Sequence, residues 1–170
     1  MKKIFFLITG LMLVAAPLFA EEGVNQKELK ELMGDSYMIE QDYDSSVKQY
    51  REVLAKDPQN IKARVSLADV LSWQQKYEEA VAEYLKALEL KPGDAGVQRK
   101  LAEVYVWDKK FDEAKAVLIP LLENNSKDAK AKLLYGKALL YSGQTKEAIR
   151  VFKELDEASQ NPKIVSKGDA

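Results

Sequence analysis

The stretch that decides the fold is LADVLSWQQKYEEAVAEYLKALELKP, residues 67–92. Its first part places apolar residues three and four positions apart, a short polar turn follows, and its second part repeats that spacing until a proline. Such spacing is typical of amphipathic helices that bury one side, and proline stops a helix. Residues 67–92 are therefore predicted to form two helices joined by a turn.

The same pattern recurs every 34 residues, in the blocks 27–60, 61–94, 95–128 and 129–162. A fixed period of this size predicts stacked units of supersecondary structure. Small residues fill position 8 of the blocks, which is Gly34, Ala68, Ala102 and Gly136, and position 20, which is Ser46, Ala80, Ala114 and Ala148. Because helices approach closely only where they lack bulk, each block is predicted to be a pair of packed helices.

The second block carries a resemblance to a known family. Leu67-Ala68, Leu71, the run Tyr77 to Ala80, Tyr84 and the run Lys86 to Pro92 are similar to the tetratricopeptide repeat. The other three blocks resemble it in the same register, so the likeness extends over residues 27–162. It implies an all-α solenoid in which four 34-residue helix-turn-helix repeats form a right-handed superhelix.

Composition argues against the commonest classes of enzyme. The 170 residues include no Cys and no His, so the chain lacks an imidazole base, a thiolate nucleophile and a Cys/His zinc site. The 26 Lys and Arg are balanced by 27 Asp and Glu, without the basic excess that is typical of nucleic-acid-binding proteins. The sequence predicts a protein that is not an enzyme, uses no cofactor or metal and does not bind nucleic acid.

Residues 1–20 are predicted to be a signal peptide. Lys2 and Lys3 precede an apolar run over residues 4–16, and a small residue, Ala20, ends the segment. The run is shorter than the roughly 20 residues that a membrane span needs. The charged start resembles bacterial signals, so we expect export to the periplasm or cell envelope and cleavage after Ala20, with an uncleaved N-terminal anchor as the alternative. Residues 21–26 form a short lead, and residues 163–170 a C-terminal tail.

The resemblance also implies a binding surface, since positions 2, 5, 9, 12 and 13 line the concave groove in this family. Position 13 is Ile39, Trp73, Trp107 and Tyr141. Positions 5 and 9 add further candidates, namely Asp69, Arg99, Glu103 and Lys137. The position-13 ladder has two interpretations: its rings bind a peptide or a sugar face, or they cover the seam with the neighbouring repeat. The groove is predicted to have mixed charge, with an acidic bias toward its N-terminal half.

Some members of the family hold a partner's C-terminal carboxylate with Lys and Asn. Because Asp69 and Glu103 stand where Asn would be needed, we do not expect that clamp. The predicted function is a protein-protein adaptor or scaffold of the cell envelope that binds a partner segment in the groove. The alternative is a carbohydrate-binding accessory module that uses the same rings as stacking platforms. Leu71 to Ala80 is also similar to tetratricopeptide segments of outer-membrane and exopolysaccharide-export proteins, which favours an envelope-assembly or polysaccharide-related role.

The last block differs from the others on the surface that would receive a fifth repeat. Position 28 is leucine in the first three blocks and Asp156 in the fourth. Position 25 is Leu85 and Ile119 in the two middle blocks and Lys153 in the fourth. Polar residues there predict that the array ends with this block. We expect a monomer or weak self-association.

Overall fold

The computed structural model describes residues 25–160, which form eight α-helices and no strand. The helices are α1 Gln26–Ile39, α2 Tyr43–Lys56, α3 Ile61–Trp73, α4 Tyr77–Leu90, α5 Ala95–Trp107, α6 Phe111–Asn124, α7 Ala129–Tyr141 and α8 Thr145–Gln160. Each block of the 34-residue period thus contributes two helices. The predicted signal peptide, most of the lead, the end of the fourth block and the tail lie outside the described residues.

The helices stack in chain order. Every helix contacts the next one, and in addition α3 contacts α5 and α5 contacts α7. Because the first helices of successive repeats touch one another directly, they form the inner layer of the stack. We therefore call α1, α3, α5 and α7 the inner helices, and the others the outer helices. The all-α solenoid predicted from the period is confirmed.

The turn inside each repeat has one conformation, used four times. Position 15 of the blocks has a positive φ, at Gln41, Gln75, Lys109 and Gly143. In the first turn, Gln41 N–H donates to the Met38 carbonyl at 3.2 Å and Asp42 N–H to the Tyr37 carbonyl at 2.9 Å. These are the two bonds of a Schellman motif, which satisfies carbonyls at the end of a helix. The left-handed residue lets the outer helix fold back beside the inner one.

Side chains before each inner helix fix where it begins. Asn25, Asn60, Asp94 and Asp128 each accept a hydrogen bond from a backbone N–H in the first turn of the helix that follows. The outer helices α4 and α6 have no such side-chain cap. Their first turns instead carry the acid pairs Glu78-Glu79 and Asp112-Glu113, whose negative charges interact favourably with the helix dipole.

The small residues of positions 8 and 20 are buried in all four repeats, as expected for helices in close contact. Position 24 fills the space beside them, with Tyr50, Tyr84 and Leu118 buried in the first three repeats. At the ends of the array even a methyl group would be too large: a Cβ on Gly34 would lie 2.8 Å from the Tyr50 ring, and one on Gly136 only 2.4 Å from the Phe152 ring. Ring over glycine therefore sets the helix spacing in the terminal repeats.

The last helix is adapted to solvent on its outer side. Of the residues of α8, only Ala148 is fully buried, and Lys153 and Asp156 are exposed. Ile149 is the large apolar side chain of this helix that stays exposed. The two residues that the sequence places on the surface for a further repeat are thus in contact with solvent.

Candidate functional site

The position-13 ladder lies at the ends of the inner helices, half in solvent and half on a seam. The exposed fractions are 46% for Trp73, 43% for Trp107, 59% for Tyr141 and 79% for Ile39. The Trp73 ring lies 5.9 Å from the Tyr43 ring, and Tyr141 lies 6.1 Å from Phe111, both tilted. Each of these partners belongs to the preceding repeat, so both rings cover a seam between repeats while leaving one side accessible.

Position 9 accepts hydrogen bonds from buried tyrosines in the first two repeats. The Tyr50 hydroxyl donates to Asp35 Oδ1 at 2.5 Å, and the Tyr84 hydroxyl donates to Asp69 Oδ1. Burial raises the pKa of both tyrosines, and the neighbouring aspartates raise it further, so both stay protonated donors at neutral pH. Lys100 Nζ also donates to Asp69 Oδ1 at 2.7 Å. Asp69 is therefore a link between helices and not a free groove charge.

The acids at the N-terminal end of the inner layer are paired within the protein. Glu31 accepts from the Asn60 side-chain amide at 2.6 Å and lies 3.3 Å from Lys62 Nζ. The same lysine lies 3.8 Å from Asp35. Glu31, Asn60 and Lys62 border a cleft of about 430 Å³ between α1 and α3. The acids at positions 5 and 9 of the first repeat therefore have partners within the protein.

A second cleft, of about 340 Å³, lies between α5 and α7. We call it the α5–α7 cleft and define it by its lining residues Gly96, Arg99, Lys100, Glu103, Lys130, Leu133, Leu134 and Lys137. Gly96 has no side chain and contributes only backbone atoms to the lining. Leu133 is 44% exposed. The cleft thus combines an accessible aliphatic surface with four cations and one carboxylate.

Two of these cations are already held by acids. The Arg99 guanidinium donates to Asp128, whose side chain is only 8% exposed, and Lys100 pairs with Asp69. Burial tends to raise the pKa of Asp128, but the Ala131 backbone N–H and the Arg99 guanidinium outweigh it, so its pKa is lowered. Lys130 and Lys137 form no ion pair with any residue between 25 and 160.

Family comparisons agree with this architecture. One model described as tetratricopeptide repeat matches residues 74–138 and 108–166, and another model with the same description matches residues 32–95. The chain belongs to the tetratricopeptide repeat family. A comparison with curated proteins found no match.

Solved structures share the tetratricopeptide fold at low sequence identity. A tetratricopeptide repeat protein from Parabacteroides merdae is 19% identical at a TM-score of 0.75, over 88% of this chain and 58% of that one. MamA from Desulfovibrio magneticus is 17% identical at a TM-score of 0.72, over 81% and 77%. The TPR2B domain of yeast Sti1, solved in a complex with pHsp70, is 24% identical at a TM-score of 0.58, over 66% and 94%.

The tetratricopeptide architecture brings three of the eight predicted site residues together. Arg99, Glu103 and Lys137 line the α5–α7 cleft. The ladder residues lie at the helix ends outside that lining, and Asp69 reaches it only through its ion pair with Lys100. Five lining residues were not among the predicted site residues, namely Gly96, Lys100, Lys130, Leu133 and Leu134. Position 2, which the resemblance places in the groove, is Gly96 in the third block and Lys130 in the fourth.

The described residues also bear on metals and membranes. Between residues 25 and 160 there is no group of three or more acidic side chains placed to hold a metal ion. Each helix in that part of the chain falls short of the length and apolar character required to cross a bilayer.

Proposed function

We propose that this tetratricopeptide protein is a non-catalytic adaptor of the bacterial cell envelope that binds a segment of a partner protein on its inner layer. The α5–α7 cleft supports the proposal most directly, because it offers accessible apolar surface beside charges that have no partner in residues 25–160. Sites of this mixed character suit peptide recognition, where aliphatic contacts give affinity and charges give orientation.

The Sti1 domain provides a precedent at the level of the fold. Its structure is titled as a complex with pHsp70, so this helical arrangement holds a protein partner in at least that case. The partner itself is not transferred to this chain, since the two share 24% identity. Lack of His and Cys throughout the sequence favours binding over catalysis.

The envelope location rests on residues 1–20. A charged start, a short apolar run and a small residue at position 20 favour export followed by cleavage. We expect N-terminal sequencing of the protein from a periplasmic extract to begin at Glu21. A protein that still begins at Met1 and sediments with membranes would instead identify an uncleaved anchor.

The adaptor role is tested by cross-linked capture from the envelope fraction of the source organism. The bait is the mature protein, compared with a Trp73→Ala/Trp107→Ala variant and a Lys130→Ala/Lys137→Ala variant that both still unfold cooperatively. We expect one discrete protein to be captured by the mature protein and lost in at least one variant. Capture that is identical for all three baits would contradict binding on the inner layer.

Carbohydrate binding is a second candidate because the rings of Trp73, Trp107 and Tyr141 are 43 to 59% exposed along one edge of the stack. Flat rings at such spacing can stack on sugar faces. A titration of tryptophan fluorescence with soluble oligosaccharides separates the two functions. A saturable change that is lost in Trp73→Ala/Trp107→Ala would favour sugar, and no change would favour a protein partner.

A further inference from the structure

We infer that the α5–α7 cleft binds an acidic, leucine-containing peptide segment, and that Lys130 and Lys137 are the residues that select it. The inference rests on the proposed adaptor function and specifies the chemistry of its partner. It follows from a difference between two equivalent places in the repeat.

Lys62 and Lys130 both occupy position 2, on α3 and α7 respectively. Lys62 faces two acids of the preceding inner helix, Glu31 at position 5 and Asp35 at position 9. On α5, the inner helix that precedes Lys130, position 5 is Arg99 and position 9 is Glu103. An arginine thus replaces the closer acid, and that arginine is itself held by Asp128. Lys130 is left with a positive neighbour where Lys62 has a negative one.

Lys137 reverses the charge that position 9 has in the first three repeats. Position 9 is aspartate in the first two repeats, where it accepts a hydrogen bond from a tyrosine hydroxyl of the outer helix. In the fourth repeat the outer helix offers Phe152, which has no hydroxyl, and position 9 is Lys137. Position 24 of this outer helix therefore offers Lys137 no hydroxyl group, and the lysine side chain lines the cleft.

The two lysines lie on one face of α7, with Leu133 between them. Residues three, four and seven positions apart share a face, and seven residues of helix span about 10 Å. Leu133 is 44% exposed and Leu134 also lines the cleft. A complementary ligand carries two acids about 10 Å apart with an aliphatic group between them. In an extended chain that rises about 3.1 Å per residue, acids three residues apart match this spacing.

A peptide fits this surface better than an anionic polysaccharide. Both supply negative charge, but only a peptide also supplies aliphatic side chains that can cover Leu133 and Leu134. Burying that apolar surface adds a contribution that does not depend on salt. The inference commits to the peptide, and an anionic sugar is an outcome of the test.

The probe is a fluorescein-labelled peptide of three Glu-Leu-Ser units, amidated at its C-terminus so that no terminal carboxylate is present. Its matched control has Gln in place of every Glu. Fluorescence anisotropy with the purified mature protein at about 0.15 M salt keeps the Debye length near 8 Å, so that only local charges matter. We expect the Glu peptide to bind about tenfold or more tightly than the Gln peptide and to weaken as salt rises.

The variants locate the site. Lys130→Ala/Lys137→Ala is expected to weaken binding of the Glu peptide by about tenfold and to leave the Gln peptide unchanged. The matched control is Lys62→Ala/Lys146→Ala, which removes the same charge, one lysine from the same repeat position and one from α8. We expect this control to bind like the unaltered protein. Exchanging charge with Lys130→Glu/Lys137→Glu should reverse the preference in favour of a Lys-Leu-Ser peptide.

Three outcomes overturn the inference. They are equal binding of the Glu and Gln peptides, equal weakening by the control variant, and saturable binding of tetragalacturonate that Lys130→Ala/Lys137→Ala abolishes while the Glu peptide does not bind. Thermal unfolding of each variant shows whether it still folds. If the alanine variant does not fold, the test is whether Lys130→Glu/Lys137→Glu gains binding of the Lys-Leu-Ser peptide. If envelope capture succeeds while peptide preference is absent, the adaptor role survives and the acidic-partner inference fails. Peptide preference without any captured protein would contradict the adaptor role instead.

Discussion

The two clefts of the inner layer share a backbone arrangement and differ in what their charges do. Between α1 and α3, Lys62 is held by Glu31 and Asp35. Between α5 and α7, the lysine at the equivalent position has Arg99 and Glu103 in place of those acids. The position-2 lysine is thus paired with acids in the first cleft and remains accessible in the second. In a solenoid, which seam is structural and which is a binding surface is decided by two or three side chains and not by the fold.

The sharpest way to break this comparison is to remove the position-9 acid from each half. Asp69→Ala leaves the buried Tyr84 hydroxyl without its acceptor and releases Lys100, so we expect a loss of about 1–3 kcal/mol in the free energy of unfolding. Glu103→Ala at the same position of the next repeat should cost less than about 0.5 kcal/mol, because the outer helix there offers Leu118 and no hydroxyl. Urea unfolding measures both.

A control separates lost hydrogen bonding from lost packing. Tyr84→Phe removes the hydroxyl and keeps the ring, so combining it with Asp69→Ala gives a double-mutant cycle. We expect the combined loss to be smaller than the sum of the single losses, because each change removes the same bond. Simple additivity would mean that the Asp69 carboxylate stabilises the protein through Lys100 alone.

A second prediction concerns acid and the ion pair that neutralises Arg99. The folded pKa of Asp128 lies below its ordinary value of about 3.9, so the unfolded chain binds the proton more readily. The stabilisation from this carboxylate is therefore present at neutral pH and is lost as the pH falls below about 5 toward the folded pKa. Asp128→Asn keeps a side chain able to cap α7 and removes the charge.

The expected result is a lower stability of Asp128→Asn at pH 7 and a gentler decline between pH 5 and 3 than in the unaltered protein. Urea unfolding at several pH values measures it. Parallel pH profiles for the two proteins would show that the pair with Arg99 contributes no acid sensitivity.

The smallest effect is expected from the position-2 lysines themselves. Lys62→Ala breaks a pair with Glu31, whose side chain is only 12% exposed, and should cost up to about 1 kcal/mol of stability. Lys130→Ala should be neutral or slightly stabilising, since it removes a charge near Arg99. Differential thermal unfolding at low and high salt checks the sign. Equal costs at the two positions would remove the distinction between a paired and an accessible cleft.

Much of the fold could be predicted from the 34-residue period. The small residues at positions 8 and 20 are buried as expected, and every block contains its helix pair. The left-handed residue at position 15 could not be predicted by residue type, since three of the four are Gln41, Gln75 and Lys109. Glycine, the usual signal for that conformation, occurs only at Gly143. Here the Schellman bonds at the end of each inner helix outweigh a local preference.

The site was less predictable because it depends on pairing between neighbouring repeats. The exposure of Trp73 and Trp107 follows from the helical register, and both remain predicted binding residues. Sequence alone showed the acids near the N-terminus but not that Lys62 and Asn60 satisfy them. Nor did it show that Asp128 holds Arg99 and leaves Lys130 accessible. Such contacts need the offset between adjacent inner helices, which the period does not supply.

The links between repeats are short in sequence, and this affects how the molecule deforms. Arg51 bonds Glu79 across 28 positions, and Lys100 bonds Asp69 across 31. Each link reaches only the next repeat, so a change at one seam does not directly break the links at another. The array can therefore change its curvature one seam at a time. A partner that spans several repeats can change the curvature gradually from one end, and the work is distributed over the seams it touches.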